Sequence, residues 1–332
     1  MVVPLSDRWI VGAIGGYRRM TAKAWGTQQK AVDEVFCQND AVSLCLLVNR
    51  RTRTVRVVDF RAGPSIAKRL FVLSFARREG MRKIFTLVER DEAATWVRLG
   101  FTKEGSIPGF YKRSDAFLLG CSTETPAPSY DDPPAQSETR LIAARPATGA
   151  APTSAAHDRM ERTIVTAKRT LRDADDKPLP QARVALVAEA DARKAAAAAV
   201  RAGRAITVFE PFGRDVERRF FLVSARGGFE LHASVESQAC FGNAYIELLQ
   251  GPRRDSEKAA TSAALGALCS TLIGEGVVSC FSLAPSDDVA LATVFLQNGF
   301  RRTGLLAEHL VLGERRRDAI LWSRKLANPA DD

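Results

Sequence analysis

Few side chains in this 332-residue chain are candidates for chemistry, and their spacing narrows what they could do. His157, His232 and His309 lie far apart, with no cysteine or carboxylate at ligand spacing, so no metal site is predicted. The six cysteines (Cys37, Cys45, Cys121, Cys240, Cys269 and Cys280) include no C-x-x-C pair. They read as buried, reduced thiols of a cytoplasmic protein. His232 and Glu236 share one strand-like run and Glu247 lies on the next; each reads first as an ordinary strand residue facing outward. Arginine is plentiful, and the net charge is +10. Its runs, "RRTRTVR", "RREGMRK", "GRDVERR", "GPRR" and "GERRR", are spread over both halves without interleaved aromatics that could stack bases. A solvated basic surface is expected, with an anionic ligand as the alternative and nucleic acid disfavoured.

The elements that must position these groups belong to a globular chain, 46% hydrophobic and 26% charged, long enough for two domains. The longest apolar runs, such as "VSLCLLV", are too short to cross a bilayer, and the N-terminus carries no signal-peptide pattern. "SLCLLVNRRTRTVRVVDF" predicts a hairpin ending at Phe60. A helix follows, with Ile66, Leu70 and Leu73 on its apolar face, Pro64 in its first turn and Gly80 as its stop. "KIFTLV" predicts a buried strand, "RDEAATWVRLGF" a helix closing at Gly100, and two strands come after it. Residues 121–160, rich in Pro, Ala, Ser and Thr, predict a linker. Beyond it come a strand at Ala182–Ala188, an alanine-rich helix ending at Gly203, and three strands. A helix carrying Leu265, Leu268 and Leu272 on one face is next, with Asp255 or Ser256 able to cap it. A strand, a helix and a final strand pair complete the chain.

One pattern occurs twice. G-F-x-x-x-G stands at Gly100-Phe101…Gly105 and again at Gly299-Phe300…Gly304. Each copy leads to D-A-apolar-Leu, at Asp115–Leu118 and Asp318–Leu321, with a few extra residues in the second. Both copies close the same order of elements. A duplicated α/β fold is therefore expected: 1–120, a linker over 121–160, and 161–327, each half a mixed sheet flanked by helices.

That order, with G-F closing the penultimate helix, resembles the GNAT acyltransferases, a CoA-dependent family. "GFTKEGSIPGFYKRSDAFLLG", "LHASVES…GNAYIEL" and "FLQNGFRRTGLLAEHLVLGERRRDAILWSRKL" resemble segments of β-lysine N-acetyltransferases. The likeness spans roughly residues 40–120 and 180–326. It implies two tandem GNAT-like domains and acetyl transfer from acetyl-CoA to the amine of a small molecule.

In this family a [QR]-x-x-G-x-[GA] loop lets backbone N–H groups and a helix N-terminus reach the CoA pyrophosphate. The matching register here is "RDSEKA", so Arg253, Arg254, Ser256 and Ala259 are the implied cofactor-binding residues. Glu257 stands where the family has glycine. A carboxylate about 5 Å from a phosphate is repelled by about 3 kcal/mol at an effective dielectric near 20, roughly a hundredfold in affinity. The equivalent turn of the first half, "RAGPSI", carries Pro64 and Ile66 and is expected not to bind. Trp96 and Phe295 occupy the position where many family members have a proton-donating Tyr. Glu236, which matches an acidic residue of the family's strand, and Glu247, which does not match it but lies on a strand bordering the expected cleft, are the candidate groups to take the amine proton. Trp322 and the aromatics of "IPGFY" are expected in the core and the contact between domains. The rival expectation is an inactive GNAT-like module that binds, scaffolds or regulates a protein partner.

Overall fold

The computed structural model describes residues 32–38, 42–59, 65–124, 153–173, 178–238 and 240–327. The first half consists of β1 (Val32–Gln38), β2 (Ser43–Asn49), β3 (Thr54–Asp59), α1 (Ile66–Arg78), β4 (Lys83–Val88), α2 (Arg90–Arg98), β5 (Thr102–Ile107) and β6 (Ala116–Ser122). The second opens with α3 (Ser154–Arg172), β7 (Ala182–Val187), α4 (Glu189–Arg201), β8 (Glu217–Ala225), β9 (Phe229–Gln238) and β10 (Asn243–Leu248). It closes with α5 (Asp255–Gly274), β11 (Ser279–Pro285), α6 (Val289–Gln297), β12 (Arg301–Leu312) and β13 (Arg315–Lys325).

All thirteen strands form one mixed sheet, in the order β1-β2-β3-β4-β6-β5-β12-β13-β11-β10-β9-β8-β7. The mixed sheet expected in each half is thus part of one continuous sheet. Outward from the β5–β12 contact the two halves read alike: an antiparallel pair, a strand paired antiparallel to it, then a parallel neighbour and further antiparallel strands. In both halves the parallel strands pair over only four residues, Thr54–Val57 with Lys83–Thr86 and Asn243–Ile246 with Ser279–Ser282. Beyond those residues β10 and β11 part.

The repeated glycines explain the join. Gly100 and Gly299 have φ of +81° and +74° and follow the ends of α2 and α6, a conformation that side chains resist. Gly105 and Gly304 are each other's partners across the β5–β12 contact, and each sits at a register shift in its own half. A Cβ on Gly304 would lie 2.5 Å from the Gly105 Cα and from the Glu104 carbonyl oxygen. Only two glycines allow the backbones to meet there.

A buried ion pair sits beside the contact. Lys83 Nζ donates to both carboxylate oxygens of Glu104, at 2.9 and 2.7 Å, and to the Ala307 carbonyl of the other half at 2.6 Å. Burial pushes the Glu104 carboxyl up and the Lys83 ammonium down, and each charge opposes the other's shift.

Several expectations need correction. The buried side of α1 is Phe71, Val72, Leu73, Phe75 and Ala76, whereas Ile66 and Leu70 are exposed. Lys68 is buried instead, paired with Asp59 and lying over Trp96. Residues 154–160, expected as linker, open α3, whose Ala156, Met160, Ile164 and Ala167 are buried in the second half's core. His157 therefore lies on a helix. Strand β1 was not expected. Neither Asp255 nor Ser256 caps α5; its N-cap is Arg254, with no side-chain bond. Phe60, Pro64, the greater part of "RAGPSI" and residues 125–152 of the expected linker lie outside the described residues.

Helices α1 and α2 cover one face of the first half, and α3, α5 and α6 cover one face of the second. The opposite faces meet near the join, where Phe85, Ile107 and Leu118 pack with Tyr245, Phe281 and Leu283. Trp322 is fully buried in the second half's core, stacked on Phe295. Phe110 of "IPGFY" packs against Phe241 and Phe281 across the halves.

Gly304→Ala should lower stability by about 1–3 kcal/mol, because backbone rather than a pliable side chain stands in the way. Gly274→Ala, at the end of α5 with open space around it and no positive φ, should cost nothing or stabilise slightly. Denaturant midpoints of the two variants against the native chain measure the difference; equal costs would remove the close approach as the reason for the paired glycines.

Candidate functional site

The facing surfaces leave a partly open cavity of about 80 Å³ near the point where β10 and β11 separate. Strand alternation builds its wall: Ala244, Ile246 and Leu248 join the second half's core, so Tyr245 and Glu247 point the other way. The first half supplies Leu47, Thr54, Arg56 and Phe85.

The structure brings Glu236 and Glu247 to one side of neighbouring strands, where Glu236 pairs with Tyr245 and Glu247 with Ser234. Their surroundings differ. Glu236 accepts from the backbone N–H groups of Phe212 and Gly213, both at 2.8 Å, and from Arg218. It is 3% exposed, does not line the cavity, and its oxygens are engaged in holding the 205–216 segment. Glu247 lines the cavity and accepts from Thr207 Oγ1 at 2.5 Å and Ser234 Oγ at 2.7 Å, with Arg218 at 3.8 Å. Burial raises its pKa, while Arg218 and the two hydroxyls pull it back. Of the two carboxylates, Glu247 is the one suited to exchanging a proton in the cavity.

The 205–216 segment crosses between the halves. Glu210 takes a two-point ion pair from Arg51, 2.6 Å at each oxygen, and a bond from Asn49 Nδ2 at 2.9 Å. Arg56 donates to the Phe212 carbonyl at 2.6 Å and lies over the Phe212 ring. That ring contacts Phe85, Tyr245 and Phe281. Burial lowers the Arg56 pKa to about 10.

His309 is the residue that the sequence reading passed over. It lines the cavity, packs edge-on against Phe85, and its Nδ1 has no hydrogen-bond partner. Burial, with Lys83 and Arg316 nearby, holds its pKa well below the usual histidine value, so the ring is neutral. The register of β12 on β13 shifts between Leu306 and Leu310, and the intervening bulge carries His309. These are the extra residues of the second motif copy, and they were the available signal. Asp318 pins the bulge by accepting from the Glu308 N–H at 2.9 Å.

The implied cofactor residues gather at a second place. A groove of about 690 Å³ is lined by Arg204, Arg226, Arg253, Arg254 and Ser256, together with Glu230, His232 and Glu257. Ala259 does not line it; Ala260 and Thr261 do. Glu257 Oε2 accepts the Arg253 backbone N–H at 2.8 Å, so the acidic residue has taken a donor of the loop. Lys258 is turned to Asp255, 2.7 Å away. The start of α5 has no side-chain cap, and four arginines against two glutamates suit an anion. The donor set fits a pyrophosphate, with Glu257 as its competitor. His232 borders this groove, and its pKa is lowered chiefly by burial.

Trp96 and Phe295, at the position of the family's Tyr, are both buried in apolar cores. Among the described residues no group of three or more His, Cys, Asp or Glu is arranged to hold a metal ion, and no helix is long and apolar enough to cross a membrane. Five described cysteines are buried and Cys240 is exposed, all as free thiols.

No protein-family model matches the chain, and no curated protein does. Solved structures similar to it include spermidine N-acetyltransferase from Vibrio cholerae in complex with CoA and spermine: 11% identity, 45% of this chain, 97% of that chain, TM-score 0.35. Another is the ribosomal-protein-S18-alanine N-acetyltransferase from Escherichia coli: 16% identity, 46% of this chain, 98% of that chain, TM-score 0.35. At this level of likeness, what those proteins act on stays with them.

Proposed function

We propose that the chain is an N-acyltransferase of the GNAT type, built from two tandem copies of one scaffold (1–120 and 161–327), with its active site in the second. The observation that carries this reading is a small, partly open cavity beside diverging parallel strands, lined by both a buried carboxylate and a neutral imidazole. The resemblance of the sequence to acetyl-CoA-dependent β-lysine N-acetyltransferases names the reaction and an amine acceptor.

Arg253, Arg254, Ser256 and the first-turn amides of α5 would hold the cofactor's phosphates. Bound acetyl-CoA supplies the acyl thioester. Glu247 takes the proton that an ammonium group loses as it becomes a nucleophile, and Thr207 and Ser234 hold the carboxylate in position. Phe85, Phe212 and Tyr245 keep bulk water from the cavity. The cavity is small enough to hold an amine in one place, so positioning supplies much of the rate.

Glu247→Gln should lower kcat by about 10²–10⁴-fold. In the native chain kcat/KM should rise with pH through an apparent pKa above the ordinary carboxylate range, since the base acts deprotonated and burial has raised it. Glu236→Gln should leave that pH profile in place and instead speed hydrogen exchange at the Phe212 and Gly213 amides. An identical profile in Glu247→Gln would remove Glu247 from the reaction.

A second reading is favoured by the Glu257 contact with Arg253: a scaffold that has left catalysis and serves as a binding or regulatory module. Calorimetry with acetyl-CoA separates the two. Micromolar binding to the native chain, tightened up to roughly a hundredfold by Glu257→Gly, supports a working but weakened cradle. Binding found only in Glu257→Gly supports the second reading.

A further inference from the structure

A groove of about 600 Å³ adjoins the cavity and shares Arg51, Ile206, Thr207 and Val311 with it. Its other lining residues include Arg53, Arg82 and Arg316, with Glu314 as its one acidic residue. We propose that this groove is an anion subsite in which Arg53, Arg82 and Arg316 bind a phosphate group, the anionic end of an acceptor whose amine enters the cavity. The identity of the acceptor rests on the acyltransferase reading; the anion subsite stands without it.

The backbone converges these three arginines. Arg53 lies in the β2–β3 turn with φ of +50°, and its carbonyl accepts the N–H groups of both Arg82, at 2.8 Å, and Lys83, at 3.3 Å. That double acceptance holds a conformation that non-glycine residues seldom take. Arg316, on β13, donates to the Thr52 carbonyl of the same turn and, at 2.6 Å, to the Glu308 carbonyl of the His309 bulge. Its Nε is buried and makes no hydrogen bond; the Glu308 carboxylate stands 3.9 Å from it. A buried donor left unpaired is costly, and a ligand oxygen would satisfy it.

Charge points the same way. Arg51 is committed to Glu210, but Arg53 and Arg82 have no side-chain partner among the described residues. Arg316 feels both of them: its pKa is lowered first by burial, and then by the charges of Arg82 and Arg53 against the pull of Glu308. Like charges gathered in a concave site repel one another until a counter-charge enters, and a multiply charged phosphate relieves more of that repulsion than a carboxylate. Guanidinium groups also match phosphate oxygens in geometry.

The layout links this groove to the cavity. The cavity is small, about 80 Å³, and an acceptor longer than a few heavy atoms would extend from it into the adjoining groove. The arginine groove is next door, and the Glu308–Arg316 contact joins its wall to the bulge that carries His309.

Titration calorimetry of inorganic pyrophosphate into the full chain, at low salt and without acetyl-CoA, tests the subsite. Arg53→Ala/Arg82→Ala should weaken binding roughly tenfold or more, since each removes a charge-assisted contact and neither side chain supports the fold. Arg253→Ala/Arg254→Ala, in the other groove, should leave that component of binding unchanged. Phosphoethanolamine, β-alanine and ethanolamine as acceptors then separate phosphate from carboxylate and from no anion. A KM lowest for phosphoethanolamine, and raised by Arg53→Ala/Arg82→Ala for it alone, completes the case. Pyrophosphate binding that is absent, or equal in the native chain and Arg53→Ala/Arg82→Ala, overturns the subsite. Turnover of ethanolamine with no preference for phosphoethanolamine keeps the acyltransferase and overturns the phosphate end. Binding with no turnover of any amine keeps the subsite and removes the acyltransferase.

Discussion

The architecture depends on one steric allowance, the approach of Gly105 to Gly304. With a side chain at either position the β5 and β12 backbones would be held apart, and the sheet would end at two edges. An exposed edge is a hazard, because unpaired N–H and C=O groups invite another strand. Here each half covers the other's edge with its own equivalent strand. The Lys83–Glu104 pair adds a directional tie: an ammonium buried from water takes two carboxylate oxygens from its own half and one carbonyl from the other. Such a pair adds little net stability once desolvation is counted. It does fix which atoms meet, and so it sets the register of the join.

That register determines where the chemistry falls. Because the sheet faces opposite α1 and α2 and opposite α3, α5 and α6 turn toward one another near the join, residues from strands distant in sequence share one cavity. Phe212 is the wedge between them, held from the first half by Arg56 and from the second by Glu236. The division of work between the two glutamates follows from this. Glu236 is committed to two backbone amides and a guanidinium, while Glu247 is held by two hydroxyls and keeps access to the cavity. Strand polarity alone does not separate such roles, since both residues are acidic and both lie on the same face.

Apart from β1 and α3, the order of strands and helices is readable in both halves, because period-two runs, helix stops and the doubled G-F-x-x-x-G are local signals. Non-local causes hid the rest. The face of α1 was misjudged because Ile66 and Leu70 match a helical period, yet Trp96 and Asp59 draw Lys68 inward, and Leu73 is buried among aromatics instead. Helix α3 is absent from the expected elements: Ala156, Met160, Ile164 and Ala167 recur at helical spacing, but its first residues run on from the Pro/Ala/Ser/Thr-rich stretch and two of the four are alanines, so the apolar stripe is faint. Glu257 was legible as an intruder in a phosphate loop, but not as the partner of the Arg253 N–H. His309 was visible only as a surplus of residues. A bulge has no period, and its effect on the direction of a side chain emerges only once β12 is laid against β13.

The same bulge ties the catalytic reading to the fusion of the halves. Its Ala307 carbonyl receives Lys83, its Glu308 carbonyl receives Arg316, and its His309 ring meets Phe85. Two of these contacts reach into the first half, and Arg316 itself donates to Thr52 there. A second half standing alone would expose the bulge to water, and His309 would lose the burial that keeps it neutral. The first half thus contributes to a site on the second: it supplies part of the cavity wall, the arginines of the adjoining groove and, through burial and Lys83, the surroundings that hold His309 neutral.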